Sequence, residues 1–284
     1  MLRMLYIPET TRGWVGSTRG VSEMARFTGR NVFVTGAGSG FGQRTAELFA
    51  IEGARNVYLV DRLPERLEAT AERVAAAGAN PVSICCDLGD MANCAAAVEQ
   101  ALAVDPKLDV MVSNAAAWAN EHFLDITDDS WRRVLAVDLD AYFVLAHRAA
   151  NAMKHTGGGS ILFTSSISSL GHGRGFTSYA VAKAGLVALA KAIAVECAPY
   201  NIRANCVSPG PADTQQSVDL TSLELMNKWR AEGFPVVPLN RLASVDDIAH
   251  AFLYLASDEA RYLSGINLIV DGALTAQTYD VPDN

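Results

Sequence analysis

Positive charge is scarce in this chain: 23 Lys and Arg stand against 31 Asp and Glu over 284 residues, a formal net charge of −8. Gripping a nucleic-acid backbone takes clustered Lys and Arg, so nucleic acid is excluded as a partner. Phosphates on a small ligand would have to be met by backbone amides instead. Cysteine is sparse as well. Cys85, Cys86, Cys94, Cys197 and Cys206 are odd in number and lack metal-ligand spacing. That argues against a disulfide framework or a zinc site and fits reduced thiols in a cytoplasmic protein. Residues 1–23 hold no apolar run long enough for a secretory signal or a membrane span, so no membrane partner is expected. No repeat, low-complexity tract or linker divides the chain, and half of its residues are apolar, enough for one large core.

What the chain does have is glycine in one place. The segment NVFVTGAGSGFGQRTAELF runs from an apolar stretch ending at Thr35 through Gly36, Gly38, Gly40 and Gly42 into a helical pattern. It reads as strand, tight turn and helix. Glycine lets the backbone approach a pyrophosphate, and the free amides and positive end of the following helix favour the anion. The spacing is TGxxxGxG and does not fit GxGxxG in any frame.

A second cluster carries proton chemistry. Tyr179 and Lys183 are four residues apart in TSYAVAKAG, and Ser166 lies thirteen residues before Tyr179. On a helix, positions i and i+4 share a face, so the Lys183 ammonium can stabilise an ionised Tyr179 phenol. A tyrosine so placed works as a base. Taken alone, the pair also suits a solvated helix face, with Tyr packed and Lys pointing outward.

Taken together, TGAGSGFG at 35–42, SNAAA at 113–117, Ser166, YAVAK and SPGPADT at 208–214 resemble the classical short-chain dehydrogenase/reductase family. The match runs over about residues 24–276. The resemblance implies a single-domain α/β fold of the Rossmann type, doubly wound, with seven parallel strands and helices on both faces. It also implies a nicotinamide cofactor, hydride exchange with an alcohol or carbonyl carbon, and a homotetramer or homodimer. Alternation of strand-like segments with helices expected over 64–77, 91–104, 130–155 and 245–256 agrees with a parallel sheet.

The resemblance assigns roles residue by residue. Ser166 holds the substrate oxygen, Tyr179 gives or takes its proton, and Lys183 lowers the Tyr179 pKa and binds the nicotinamide ribose. Gly36, Ser39, Gly40, Phe41 and Gly42 line the pyrophosphate, while Asp87 and Leu88 meet the adenine. Asn114, Ala115 and Ala116, together with Pro209, Gly210, Ala212 and Thr214, complete the cofactor site, Thr214 at the carboxamide. Asp87 and Thr214 have plainer readings as a helix-cap region and a loop cap.

Asp61 closes the second strand nineteen residues after Gly42, where a carboxylate can accept hydrogen bonds from the adenosine ribose. A 2′-phosphate about 4 Å away would meet roughly 4 kcal/mol of repulsion per pair of unit charges at an effective dielectric of about 20, around a thousandfold in binding. NAD is therefore expected over NADP, although Arg62 next door could reach a phosphate.

One departure stands out. Asp138, in AVDLD, falls where the family carries a catalytic Asn that bends the long helix and presents a carbonyl to a water-linked lysine. An Asp keeps that carbonyl and loses the amide donor, and its charge is expected to move the activity optimum to more alkaline pH. For substrate, the apolar residues of a lid expected over 212–240, Trp229 among them, suit an apolar or cyclic secondary alcohol or its ketone. Trp118, His172 and Arg174 are further pocket candidates, and each also suits an ordinary loop. Two other functions stay open: an NADPH-dependent 3-oxoacyl-thioester reductase, which Asp61 argues against, and a non-catalytic dinucleotide-binding sensor or scaffold. The stretch over 1–23 reads either as a translation start assigned too far upstream or as an arm onto a neighbouring subunit, and 277–284 as a tail.

Overall fold

The computed structural model of the protein describes residues 25–171 and 173–278. The expected extension over 1–23, His172 and residues 279–284 of the expected tail lie outside the described residues. Seven strands form one parallel sheet: β1 (Asn31–Thr35), β2 (Asn56–Asp61), β3 (Asn80–Cys85), β4 (Val110–Ser113), β5 (Gly159–Thr164), β6 (Ile202–Pro209) and β7 (Asn267–Val270). Their spatial order is β3-β2-β1-β4-β5-β6-β7.

Nine α-helices accompany them among the described residues: α1 (Gly40–Ile51), α2 (Pro64–Ala76), α3 (Met91–Val104), α4 (Asp128–Leu135), α5 (Ala141–Thr156), α6 (Thr177–Glu196), α7 (Gln215–Leu220), α8 (Leu223–Glu232) and α9 (Val245–Ala256). The strands read as unbroken apolar runs because both sheet faces are covered. Successive side chains point to opposite faces. Phe33, Met111, Ile161 and Phe163 join the core shared with α3, α5 and α6. Val34, Val112, Leu162 and Val207 join the core shared with α1, α2 and α9. Each such side chain contributes about 1.5–3 kcal/mol on burial.

Local chemistry sets the helix ends. Asp90 accepts from the Ala92 and Asn93 amides at the start of α3, Thr127 accepts from Ser130 at α4, and Ser244 and Asp247 form a reciprocal capping box at α9. α5 stops at Gly157, whose φ of 101° suits glycine. The helix expected as one piece over 130–155 is interrupted: a π-helical turn, Ala136–Asp140, joins α4 to α5. That wide turn carries Asp138, and π turns of this kind are frequent at functional sites. α6 is long and apolar enough to cross a membrane by length and composition, yet it packs on β5 and β6 and carries Tyr179 and Lys183.

Strand order reverses between β1 and β4, whose successors run to opposite sides. In open α/β sheets such a switch point leaves a crevice at the carboxyl ends of the strands. A cavity of about 170 Å³ at the opposite end is lined by Arg26, Arg30, Asp109 and Arg203. There Arg203 donates to the carbonyls of Ala256, Ser257 and Leu263. It neutralises the negative end of α9, which makes that basic cavity a structural feature.

Candidate active site

The crevice begins at the glycine turn. A Cβ on Gly36 would lie 2.9 Å from Ala115 Cα, and one on Gly42 would lie 2.2 Å from the Gly36 carbonyl oxygen. Close packing of turn, helix and β4 thus requires glycine at both places. Gly40 differs, because its nearest neighbour beyond the turn is Thr214 Cγ2 at 4.0 Å. Open space therefore lies above the first turn of α1, whose amides have no intrahelical partners. Ser39, the N-cap of α1, makes no side-chain hydrogen bond to the helix. This cradle of glycine, free amides and a hydroxyl fits a pyrophosphate, and a nicotinamide dinucleotide is the group it would hold. Phe41 is half-buried and packs against the α1–α9 core.

Asp61 sits at the end of β2, beside the turn. Its Oδ2 accepts from the Gly38 amide at 3.1 Å and its Oδ1 from the Leu63 amide at 3.1 Å. The carboxylate is thereby fixed at the mouth of the crevice, and Arg62 points into solvent. Asp87 is exposed and accepts from the Gly89 amide; the helix cap that follows is Asp90. Leu88 has its side chain in the core, so only its backbone could meet an adenine.

Across the switch point, the Thr35 hydroxyl accepts from the Asn114 and Ala115 amides at 2.9 and 3.1 Å. Thr164 donates to Asn114 Oδ1 at 3.0 Å. These two threonines tie β1, β4 and β5 together beneath the cofactor cradle. Ala116 is exposed at the turn. Beyond β6, Pro209 and Gly210 run close to β7: the Gly210 amide donates to Val270 O, and a Cβ on Gly210 would lie 2.7 Å from Asp271 Cα. Ala212 bridges to Ala243.

The reactive end lies one strand over. Ser166 follows β5, is buried, and accepts from the Ser168 amide at 3.0 Å. Tyr179 and Lys183 share one face of α6, with the Lys183 Nζ 5.3 Å from the Tyr179 ring centroid and 5.1 Å from that of Tyr142. Lys183 is fully buried, donates to Thr164 O at 3.1 Å, and faces Asp138 Oδ2 at 3.4 Å. Asp138 Oδ1 accepts from the Ala117 amide at 2.6 Å.

Charge follows from these contacts. Burial holds the Tyr179 phenol above its ordinary value; Lys183 pulls it down, Asp138 pushes it up, and a hydrogen bond from Ser166 pulls it down. Burial alone would lower Lys183, but Asp138 and the two tyrosines hold its ammonium above the usual range. Burial likewise raises the Asp138 carboxyl against the pull of Lys183 and the Ala117 amide. An arrangement of one hydroxyl donor, one phenol and one buried cation can hold a substrate oxygen and exchange its proton.

The expected lid over 212–240 contains α7 and α8. Thr214 caps α7 through its hydroxyl, which accepts from Ser217, while its methyl faces Gly40. The cap and a place beside the glycine turn therefore coexist. Arg230 on α8 donates to both oxygens of Asp213, at 2.8 and 2.6 Å. Trp229 stacks edge-on with Phe234 at 4.6 Å, so part of its surface is used within the lid. Trp118 is half-buried in the turn after β4. The same turn meets the loop before α6, where Arg174 is exposed, through a hydrogen bond from the Glu121 amide to Gly175 O.

Reasoning from sequence missed several contributors: Thr35, Thr164, the Ala117 amide, Tyr142, and the Asp213–Arg230 tie. The available signals were a threonine closing β1, another closing β5, and Tyr142 four residues after Asp138.

Comparison with known proteins bears on the family and the fold. A family model described as enoyl-(acyl carrier protein) reductase matches residues 36–275. A short-chain type dehydrogenase/reductase of Sinorhizobium fredii is 35% identical over 250 residues, 87% of this chain and 97% of that one. A trans-4-hydroxycyclohexanecarboxylate dehydrogenase of Sinomonas cyclohexanicum is 35% identical over 249 residues, 86% of this chain and 92% of that one. Among solved structures, a 7α-hydroxysteroid dehydrogenase complexed with NADH and 7-oxo glycochenodeoxycholic acid aligns with a TM-score of 0.81 at 29% identity, over 88% of this chain and 95% of that one.

Proposed function

The chain belongs to the short-chain dehydrogenase/reductase family, an oxidoreductase family acting on alcohols and ketones, and within it we propose an NAD-dependent dehydrogenase of an apolar or cyclic secondary alcohol. The observation that carries the reading is the buried Lys183 ammonium beside the Tyr179 ring, with the Ser166 hydroxyl at hand. The nicotinamide, when bound, supplies the two-electron carrier. In oxidation Ser166 holds the substrate oxygen and the Tyr179 phenolate takes its proton. Lys183 makes that phenolate accessible. In reduction Tyr179 returns the proton. Gly36, Ser39, Gly40, Phe41 and Gly42 would hold the pyrophosphate, and Asn114 to Ala116 with Pro209 to Thr214 would hold the nicotinamide end.

Asp61 supports NAD, since its fixed carboxylate would repel a 2′-phosphate. The relative that acts on a hydroxycyclohexanecarboxylate and the neighbour that holds a steroid-like bile acid both suit a cyclic substrate. The apolar side chains of α8 and its loop suit one as well. Exposed Phe143 and Val181 on α5 and α6 favour a homodimer or homotetramer. Five free thiols favour the reducing cytoplasm.

A relative described as a 3-oxoacyl-[acyl-carrier-protein] reductase, of Chlamydia pneumoniae and 32% identical over 247 residues, favours a second reading, an NADPH-dependent 3-oxoacyl-thioester reductase. A panel decides between the two: cyclic secondary alcohols with NAD against a 3-oxoacyl thioester with NADPH. Turnover of the alcohols with NAD supports the first reading. Turnover only of the thioester with NADPH overturns it.

A further inference from the structure

We propose that Asp138 is a positioning residue whose carboxylate has two separable roles, holding the turn after β4 through Ala117 and setting the pH at which Tyr179 works by offsetting the Lys183 charge. The inference rests on the reading of Tyr179 as the proton-transfer group.

Asp138 is fully buried in the π-helical turn between α4 and α5. One oxygen accepts the Ala117 amide at 2.6 Å, and the other has no hydrogen-bond partner and faces Lys183 Nζ at 3.4 Å. Buried polar atoms are almost always paired, so an oxygen left facing only an ammonium marks a charge contact.

The surroundings leave few other charges. Nearby are Tyr142 on α5, its ring 5.1 Å from Lys183 Nζ, the Ser166 hydroxyl after β5, and Cys206 on β6, which feels the charges of both Lys183 and Lys191. Burial holds the Tyr142 phenol and the Cys206 thiol above their ordinary values, so both stay neutral in the working range. Tyr142 donates instead to Ala115 O at 2.7 Å. For Asp138 the Lys183 ammonium at 3.4 Å and the Ala117 amide on its other oxygen oppose burial and favour the charged form. A lone ammonium would favour the phenolate strongly, whereas a carboxylate 3.4 Å from that ammonium cancels part of its field.

Asp138→Asn separates the two roles, because an amide oxygen still accepts the Ala117 N–H while the charge is gone. Asp138→Ala removes both. The acid limb of the pH profile of kcat/KM for alcohol oxidation is expected to move down by about one unit or more in Asp138→Asn. NADH affinity, read by fluorescence, stays near that of the parent. In Asp138→Ala the limb moves likewise, and NADH affinity falls by about tenfold as the turn loosens.

A second readout does not need turnover. Ultraviolet difference titration against Tyr179→Phe follows the phenol itself, and its midpoint is expected to fall in Asp138→Asn. In a Lys183→Met background the same change moves the midpoint much less, because a buried carboxylate left without its cation protonates and has no charge to remove. An unmoved phenol midpoint in Asp138→Asn overturns the inference, whether or not the enzyme turns over. Turnover that survives Tyr179→Phe overturns the functional reading instead.

Discussion

Gly42 lies so close beneath Gly36 that a Cβ on it would stand 2.2 Å from the Gly36 carbonyl oxygen. Backbone cannot yield as a side-chain tip can, so Gly42→Ala is expected to cost about 1–3 kcal/mol of stability. Gly40→Ala meets open space and only the strain of its φ of 54°, about 1 kcal/mol, but it puts a methyl group where the pyrophosphate would rest. Thermal melts with NADH titration separate the two: Gly42→Ala mainly lowers the melting temperature, and Gly40→Ala mainly weakens the dinucleotide. The reverse pattern would contradict the proposed cradle.

Asp61 predicts cofactor choice. Replacing it with Asn removes the repulsion toward a 2′-phosphate, so the preference for NAD over NADP is expected to shrink by up to about a thousandfold. The ratio of kcat/KM for the two cofactors measures this. Because one carboxylate oxygen is lost to the Gly38 or Leu63 amide, a small fall in melting temperature accompanies it. An unchanged ratio assigns cofactor choice elsewhere.

Burial holds the Tyr179 phenol above its ordinary value, with Lys183 opposing and Asp138 reinforcing that shift. The phenolate is the working form in oxidation, so the rate of oxidation rises as pH climbs into the alkaline range and falls away in acid. Reduction needs the protonated phenol and runs the other way. Lys183→Met is expected to push the oxidation limb further alkaline and to cut the rate at neutral pH by about a hundredfold or more. Profiles in both directions check this, and a flat oxidation profile contradicts it.

Much of the fold and of the reactive cluster is legible in the residues themselves. Apolar runs such as NVFVT and VYLV fit strands buried on both faces, and four-residue spacing places Tyr179 and Lys183 together because a helix repeats near that interval. The π-helical turn at Asp138 is not legible, because an extra residue in a helical turn leaves no mark on apolar periodicity. The Ala117 amide is hidden for a related reason, being a backbone donor that almost any residue type supplies. Trp229 shows the limit of residue type alone: an aromatic in a lid reads as a pocket wall, and its stacking on Phe234 depends on how the chain turns at Gly233 after α8.

The Asp213–Arg230 pair ties α8 to the loop after β6. Arg230 holds the Asp213 carboxyl below its ordinary value, so the pair's contribution is present above the unfolded carboxyl's pKa and is lost as pH falls through the lower folded one. The tie is therefore intact at neutral pH and released only in acid. Arg230→Gln is expected to leave the melting temperature nearly unchanged, since the pair is largely exposed. Substrate KM rises as the lid loosens, with NADH affinity retained. A KM equal to that of the parent would detach this pair from lid closure.

The proposed role of Tyr179, exchanging the proton of an alcohol in an NAD-dependent oxidation, is open to direct measurement. The direct measurement follows nicotinamide absorbance with a panel of cyclic and open-chain secondary alcohols, with NAD and NADP, for the parent protein beside Tyr179→Phe. Turnover with NAD, weaker with NADP and abolished in the variant, is the predicted result. Turnover that persists in Tyr179→Phe, or that requires NADP, would contradict the account.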